Sequence, residues 1–262
     1  MSHHIIEATD LHFVYPDGTR ALNGVSFRIT HGESVAIVGA NGAGKSTLLL
    51  HFNGCLMPTG GSLRVGDYPV TRETVGQIRR SVGVVFQDSD DQLFMPTVFD
   101  DVAFGPLNMG LPPDEVEKRV ASALATVGSS HLAARPPYRL SEGEKKAVAI
   151  ASVLSMAPAI MVMDEPSSNL DQHARRALIN LLRTFEHTKV IATHDLDLAA
   201  DLCERVIVLD EGSVAADDSV RNVFGNRDLL ARCHLEMPLG MQRCPICSGG
   251  RSDAVDRSPG RE

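Results

Sequence analysis

The 262-residue sequence lacks several features that define large classes of protein. Lysine and arginine (25) are outnumbered by aspartate and glutamate (33), and the net charge of −8 argues against a nucleic-acid partner. The apolar, uncharged stretch of residues 147–163 would reach only about 25 Å as a helix, and Pro158 interrupts it. The first ten residues show no secretory-signal pattern, and the five cysteines are odd in number. These absences predict a protein of the cytoplasm with reduced thiols and no membrane span.

The overall composition, 43% hydrophobic and 22% charged, is typical of a globular protein. Short apolar runs alternate with helical patterns along most of the chain. The strand-like segments lie within residues 5–38 and at 82–86, 159–163, 189–193 and 205–209. The helical patterns lie at residues 46–52, 112–128, from 141 onward, 173–187 and 195–203. This alternation predicts an α/β protein with a mainly parallel sheet covered on both faces.

The pattern changes twice along the chain. Residues 81–117 carry eight acidic residues, no lysine or arginine, and several prolines, and the parallel-sheet pattern pauses there. Helical patterns follow, so a helical subdomain inserted into the α/β core is predicted at about residues 90–157. From about Asn226 the alternation fades, and the last fifteen residues are typical of a disordered tail.

A glycine-rich segment, VGANGAGKST, lies between a predicted strand and a predicted helix. It fits the spacing G-x-x-x-x-G-K-[ST], in which backbone N–H groups surround phosphate oxygens. We expect Lys45 to reach the terminal phosphates and the Ser46 hydroxyl to bind Mg²⁺. The predicted nucleotide-binding residues of this segment are Gly39, Asn41, Gly42, Ala43, Gly44, Lys45, Ser46 and Thr47.

Two carboxylates close the apolar strand AIMVM. Asp164 is suited to hold Mg²⁺, and Glu165 is suited to orient or deprotonate an attacking water. The alternative is a solvated turn at the end of a strand. The glycine-rich segment elsewhere in the chain favours the catalytic interpretation.

The segment LSEGE predicts an exposed helix start. Ser141 and Glu144 fit the capping box S-x-x-E, and the free N–H groups of such a start can hold an anion.

Taken in order, these motifs resemble the nucleotide-binding subunit of ABC transporters over about residues 5–225. In that family the serine of an LSGGQ-type signature contacts the γ-phosphate of ATP held by the opposite subunit. By resemblance, Ser141 and Gly143 bind the partner's ATP in a head-to-tail homodimer with two ATP molecules. The implied fold is a P-loop NTPase: a RecA-like, mainly parallel core, an antiparallel β subdomain and the inserted helical subdomain. The implied nucleotide-binding domain is residues 1–225, with residues 226–262 as an extension.

Other positions take roles from the same resemblance. Tyr15 matches the aromatic residue that stacks on adenine, although a structural tyrosine is an alternative. Gln87 matches the glutamine that reaches toward Mg²⁺ and water, Asp171 the aspartate of the dimer interface, and His194 the histidine that contacts the γ-phosphate. Glu142 departs from the family, which usually has glycine there, and we expect its side chain to point away from the phosphate.

Residues 86–111 resemble the energy-coupling-factor (ECF) importers, above all the cobalt and nickel subfamily. This implies a peripheral protein on the cytoplasmic face of the membrane, bound to a transmembrane coupling subunit and a substrate-binding membrane subunit. Acidic residues of this segment are expected to receive arginines of the coupling subunit, unless the segment is only a solvated loop. These residues are Asp88, Asp90, Asp91, Asp100 and Asp101. Alternatives are a vitamin or other ion importer, a soluble ABC ATPase and a P-loop kinase.

The segment CHLEMPLGMQRCPIC suggests a second metal site. Cys244 and Cys247 have zinc-knuckle spacing, and Cys233 and His234 would complete four ligands for Zn²⁺ or another transition metal. A partly packed or redox-sensitive tail is the alternative.

Overall fold

The computed structural model describes residues 6–242, and the predicted tail from residue 248 lies outside this range. The strands are β1 (Ile6–Val14), β2 (Arg20–Ile29), β3 (Ser34–Val38), β4 (Gly60–Val65), β5 (Tyr68–Pro69), β6 (Val82–Val85), β7 (Ile160–Asp164), β8 (Thr188–Ala192), β9 (Arg205–Asp210) and β10 (Ser213–Ser219). The helices are α1 (Lys45–Phe52), α2 (Val75–Ser81), α3 (Val98–Asn108), α4 (Pro113–Thr126), α5 (Glu142–Leu154), α6 (Gln172–Arg183), α7 (Leu196–Leu202), α8 (Val220–Gly225) and α9 (Arg227–Arg232). Within residues 6–242, no helix is both long and apolar enough to cross a bilayer.

The strands form two sheets. The larger sheet has the strand order β10-β9-β3-β8-β7-β6. Adjacent strands in it are parallel, except that β10 runs antiparallel to β9. The smaller sheet has the order β2-β1-β4-β5 and is antiparallel throughout. The predicted fold class, a mainly parallel α/β core with an antiparallel β subdomain, is therefore confirmed.

Strand β3 explains why the central strands have unbroken apolar sequences. Val35 and Ile37 face the core shared with the antiparallel sheet, whereas Ala36 and Val38 face the core formed with the other helices. All four are 0% exposed. Because side chains alternate between the faces of a strand, burial of both faces requires apolar residues at every position.

Helix α3 was not predicted, because Pro106 lies inside it. Proline has no N–H to donate to the carbonyl four residues earlier, which here belongs to Val102. The Ser155 hydroxyl, just after α5, donates to the Val102 oxygen instead, at 2.8 Å. Helix α3 therefore continues through the proline because a residue far along the chain satisfies the free carbonyl.

Residues 226–242 form more regular structure than their sequence pattern indicated. Asn226 caps α9 by accepting the Leu229 N–H at 3.1 Å, and Leu229 and Leu230 are buried. Further on, the Asp197 carboxylate accepts the N–H groups of Leu239 and Gly240 at 3.1 and 3.0 Å. The described part of the extension therefore packs on the domain, while the limit at residue 225 stays a prediction.

The parallel strands bring distant motifs to one edge of the large sheet. Strand β3 ends just before Gly39, β6 just before Phe86, β7 at Asp164 and β8 just before Thr193. Since the carboxyl ends of parallel strands meet at the same edge, ligands bind there in open α/β sheets.

Candidate active site

A cleft of about 470 Å³ opens at this edge of the sheet. It is lined by three groups of residues: the turn after β1, the glycine-rich segment, and the loops after β6, β7 and β8. The predicted site residues among them are Tyr15, Asn41, Gly42, Gly44, Lys45, Ser46, Thr47, Gln87, Glu165 and His194. The cleft also contains Thr19, Arg20 and Ala21, which sequence reasoning did not single out. We call it the first cleft.

The glycine-rich segment folds tightly around the Lys45 side chain. The Lys45 ammonium donates to the carbonyls of Gly39 and Ala40 at 2.8 and 3.1 Å. A Cβ on Gly39 would lie 2.3 Å from a backbone oxygen of β9, and Gly44 has a φ of +101°. Burial lowers the pKa of Lys45, while the carboxylates of Glu165 and Asp164 raise it. Glycine is therefore required at both ends of the loop by close packing and by backbone conformation.

Ser46, which lines the first cleft, makes a side-chain hydrogen bond with Asp164 at the end of β7. Burial raises the pKa of Asp164, whereas the hydrogen bond from Ser46 lowers it. One carboxylate oxygen, Oδ1, is buried and has no partner among the described atoms. Oxygen donors of this kind fit Mg²⁺, and an unpartnered buried carboxylate oxygen is otherwise costly. The predicted metal residues are thus chemically suited to the ion.

Glu165 is fixed in a conformation that few residues adopt. Its φ is +42°, and its side chain is 7% exposed. Its carboxylate accepts hydrogen bonds from the Thr193 hydroxyl at 3.0 Å and from the His194 backbone N–H at 3.0 Å, and His194 Nδ1 lies 2.9 Å from it. Backbone strain that is held by several contacts is often found at functional sites. The strand ends of β7 and β8 therefore bring Glu165 and His194 into direct contact.

Tyr15 and Gln87 come from different elements, since Tyr15 follows β1 and Gln87 lies in the loop after β6. The Tyr15 hydroxyl and the Thr47 hydroxyl are 3.0 Å apart, and the Tyr15 ring packs edge-on against Phe13. Gln87 is exposed and follows β6. Both line the first cleft, so each has access to a ligand there.

Ser141, Gly143 and Asp171 line a different cleft, of about 900 Å³, between α5, α6 and the end of α4. We call it the second cleft, and it shares no lining residue with the first. Ser141 and Glu144 form the predicted capping box, in which Glu144 accepts the Ser141 N–H at 2.8 Å. Asp171 caps α6 by accepting the Ala174 N–H at 2.8 Å. One chain therefore separates the two sets of predicted nucleotide-binding residues.

Glu142 points toward its own helix. Its carboxylate pairs with Lys145 at 3.2 Å, and Lys145 also pairs with Asp90 at 2.8 Å.

Four of the five acidic residues expected to receive partner arginines have partners inside the chain; among them, Asp88 accepts the Asp90 N–H at 2.9 Å and Asp100 accepts a hydrogen bond from the Thr97 hydroxyl at 2.6 Å. Asp101 is 3% exposed and accepts the N–H groups of Phe94 and Met95. Asp90 pairs with Lys145. The expectation is therefore wrong for Asp101, because its burial keeps a partner's arginine away. Asp88 and Asp91 are exposed.

The proposed cysteine cluster lies only partly within the described residues. Cys244 and Cys247 lie outside them. Cys233 is 2% exposed, and burial raises its pKa, so its thiol is poorly placed to bind a metal. No group of three or more metal-binding side chains occurs within residues 6–242.

Sequence reasoning missed the side chains that connect the helices of the second cleft to the loops of the first. Arg175 of α6 makes two hydrogen bonds to the Asp195 carboxylate, at 2.9 and 3.0 Å. Lys146 of α5 donates to the Gln87 carbonyl at 2.7 Å. The only signal was a charged residue inside an apolar helical pattern, which implies a partner but does not identify it.

Comparisons with known proteins agree with the geometry of the site. The ABC transporter family model matches residues 22–168, more than half of the chain. The chain belongs to the ABC transporter family. This ABC ATPase is 67% identical, over 94% of its length and 99% of the relative's, to a putative ABC transporter ATP-binding protein of Geobacter sulfurreducens.

Two further similarities are to proteins of more specific transporter types. The chain is 45% identical to the ECF transporter ATP-binding protein EcfA1 of Methanospirillum hungatei, covering 90% of this chain and 87% of EcfA1. A solved structure of cbiO1 from Clostridium perfringens, part of the cbiONQ transporter complex, is similar with a TM-score of 0.77. That similarity has 41% identity and covers 88% of this chain and 94% of cbiO1. The chain is thus an ATP-binding subunit of an ABC or ECF transporter, and the expected ATPase activity is that of its family.

Proposed function

We propose that this ABC ATPase is the homodimeric, ATP-hydrolysing subunit of an ECF importer for cobalt or nickel ions. The observation that carries the proposal is the separation of the site residues into two clefts. The first cleft contains the phosphate loop, Glu165 and His194, and the second contains the capped helix start at Ser141. The first cleft lacks a capped helix start, and the second lacks a phosphate loop. Two chains arranged head to tail would therefore complete two sites.

In this proposal the first cleft binds ATP, with Tyr15 beside the adenine and Lys45 at the terminal phosphates. Ser46, Asp164 and Gln87 would hold Mg²⁺, which neutralises phosphate charge when bound. Glu165 accepts a proton from, or orients, the attacking water, and its contacts with Thr193 and His194 fix its carboxylate. The partner's Ser141, Gly143 and Asp171 would close the site from the opposite side.

A groove beside the Gln87 loop supports the proposed attachment to a membrane subunit. It has a volume of about 540 Å³ and runs between α2, α3 and the end of α5. Phe94 and Phe104 line it, with exposures of 61% and 44%, and their rings pack edge-on at 5.1 Å. Asp91, Arg79 and Arg80 add charges at its walls. Exposed aromatic residues with charged neighbours are typical of protein interfaces, so we place the coupling subunit here, at the cytoplasmic face of the membrane.

The choice of cobalt or nickel rests on the resemblance of residues 86–111 to that subfamily and on the similarity to cbiO1. The chain would be expressed with its genomic neighbours, extracted in mild detergent and reconstituted in vesicles. We expect ATP-dependent uptake of radioactive cobalt or nickel. Uptake of a vitamin instead would contradict the assigned substrate, and an absence of membrane partners would contradict the importer itself.

The dimer is tested with Glu165→Gln, which should slow hydrolysis while leaving ATP binding intact. We expect ATP to convert the variant from monomer to dimer in size-exclusion chromatography with light scattering. The same variant carrying Ser141→Arg should bind ATP but remain monomeric. A monomer at all ATP concentrations in the first variant would contradict the two-site arrangement.

A further inference from the structure

Helix α5 contacts the loop of residues 86–92, which we call the Gln87 loop, at both ends. The contacting residues of the helix are Lys145, Lys146, Ala149 and Ser152. Their spacing of about one helical turn puts them on one face of α5. One face of α5, the helix that Ser141 caps, therefore holds this loop.

Lys146 makes the closest of these contacts. Its ammonium donates to the carbonyls of Gln87 at 2.7 Å and Phe86 at 3.3 Å, and the residue is only 4% exposed. Burial lowers its pKa, while the negative charges of Asp88, Glu142 and Asp164 raise it. Burying a charged group costs free energy unless the group is paired or hydrogen-bonded, and lysine is almost never fully buried without a partner. Packing alone therefore does not explain a lysine at this position, next to the apolar Val148 and Ala149.

Gln92 fixes the other end of the loop. Its side-chain oxygen accepts the Phe86 N–H at 3.1 Å, and its side-chain nitrogen donates to the Ala149 carbonyl at 2.8 Å and to Ser152 Oγ at 2.9 Å. With both ends held, the position of Gln87 depends on the position of α5.

We propose that Lys146 is a positioning residue that ties Gln87, in the first cleft, to the helix that presents Ser141 in the second. This proposal rests on the proposed function, since it assigns Gln87 to hydrolysis in its own chain and Ser141 to the partner's nucleotide. Helix α5 is short and hydrogen-bonded throughout, so a displacement of Ser141 moves Lys146, about one turn away, and with it the Gln87 carbonyl.

The test compares Lys146→Met, which keeps the length but removes the donor, with the control Lys118→Met. Lys118 lies on α4 with its side chain 72% exposed, and it pairs with Asp114, one helical turn earlier, at 3.7 Å. We expect kcat of Lys146→Met to fall at least tenfold, with KM for ATP within twofold and the melting temperature maintained. Lys146→Arg, which keeps a donor, should recover most of the activity. Lys118→Met should behave as the unmodified chain.

A double-mutant cycle separates positioning from a general structural role. If Lys146 acts through Gln87, then Lys146→Met should cause no further loss of kcat in a Gln87→Ala background. Losses that multiply, or a kcat of Lys146→Met within twofold of the unmodified chain, would overturn the proposal. Should Lys146→Met not fold, Lys146→Leu, which also lacks a donor, provides the same comparison.

Hydrogen exchange provides a measurement that needs no activity. Amides of the Gln87 loop should exchange faster in Lys146→Met than in Lys118→Met, and equal rates would overturn the proposal. Failure of the proposed function would look different, because the unmodified chain would then hydrolyse no ATP while the difference in exchange remained.

Discussion

Replacing Arg175 by methionine should destabilise the protein and impair hydrolysis, whereas the same change at the adjacent Arg176 should do neither. Arg175 makes two hydrogen bonds to Asp195, and both side chains are about one quarter exposed. Arg176 is 60% exposed and lies 3.9 Å from Asp201. The two positions share a helix, a residue type and a substitution, so their difference isolates the contact with Asp195.

The expected loss of stability depends on the hydrogen bonds that Asp195 keeps when Arg175 is replaced. Hydrogen bonds to charged groups contribute about 1.5–3 kcal/mol each when buried. Without Arg175, Asp195 still accepts the Leu198 N–H at 2.8 Å and a longer bond from Ser167 at 3.4 Å, so its charge is not left unpartnered. We therefore expect a loss of about 2 kcal/mol, and a fall in melting temperature of about 4–8 °C for a domain of this size. Arg176→Met should cost less than about 0.5 kcal/mol.

The pH dependence provides a second readout of the same contact. Although burial raises the pKa of Asp195, hydrogen bonds from Arg175 and the Leu198 N–H lower it below its ordinary value. A carboxyl with a lowered pKa stabilises the fold above its ordinary pKa, near 3.8, and loses that contribution as the pH falls through its folded value. The difference in stability between Arg175→Met and the unmodified chain should thus persist at pH 5–8 and shrink below about pH 4.

Denaturant unfolding across this pH range measures the stability, and steady-state hydrolysis measures the function. The function should suffer because Asp195 follows His194 directly. Equal losses for Arg175→Met and Arg176→Met, or a difference that does not change with pH, would refute the reasoning.

The remaining predictions concern packing and reactivity. Gly39→Ala places a Cβ 2.3 Å from a backbone oxygen, so ATP binding measured by calorimetry should be lost, whereas Gly76→Ala in α2 meets nothing within 4 Å and should leave binding unchanged. Ser155→Ala removes the donor to the carbonyl freed by the proline in α3, and urea unfolding should show a loss of about 1–3 kcal/mol; no loss would contradict that account of α3. Burial raises the pKa of Cys203 to about 12, so in the folded protein at pH 8 iodoacetamide should label the exposed Cys55 and leave Cys203 unmodified, as peptide mass spectrometry would show.

The central strands and the phosphate loop could be predicted because their signals are local. Strand β3 is buried on both faces, and its sequence is therefore apolar at consecutive positions. The capping box at Ser141 and Glu144 spans only four residues and was found in full. Helix α3 was missed because the hydroxyl that satisfies the carbonyl freed by Pro106 comes from Ser155, a contact between residues 53 positions apart. The short helix α9 was missed because six residues do not establish a period.

The same distinction between local and distant signals applies to the site. Two helices present a capping residue in the second cleft, Ser141 on α5 and Asp171 on α6. About one turn later, each helix carries a basic side chain that binds a loop of the first cleft: Lys146 to Gln87, and Arg175 to the residue after His194. These contacts span 59 and 20 positions, so no local motif announces them. Because both helices repeat this arrangement, a ligand that displaces both helix starts would shift Gln87 and His194 together, on opposite sides of Glu165.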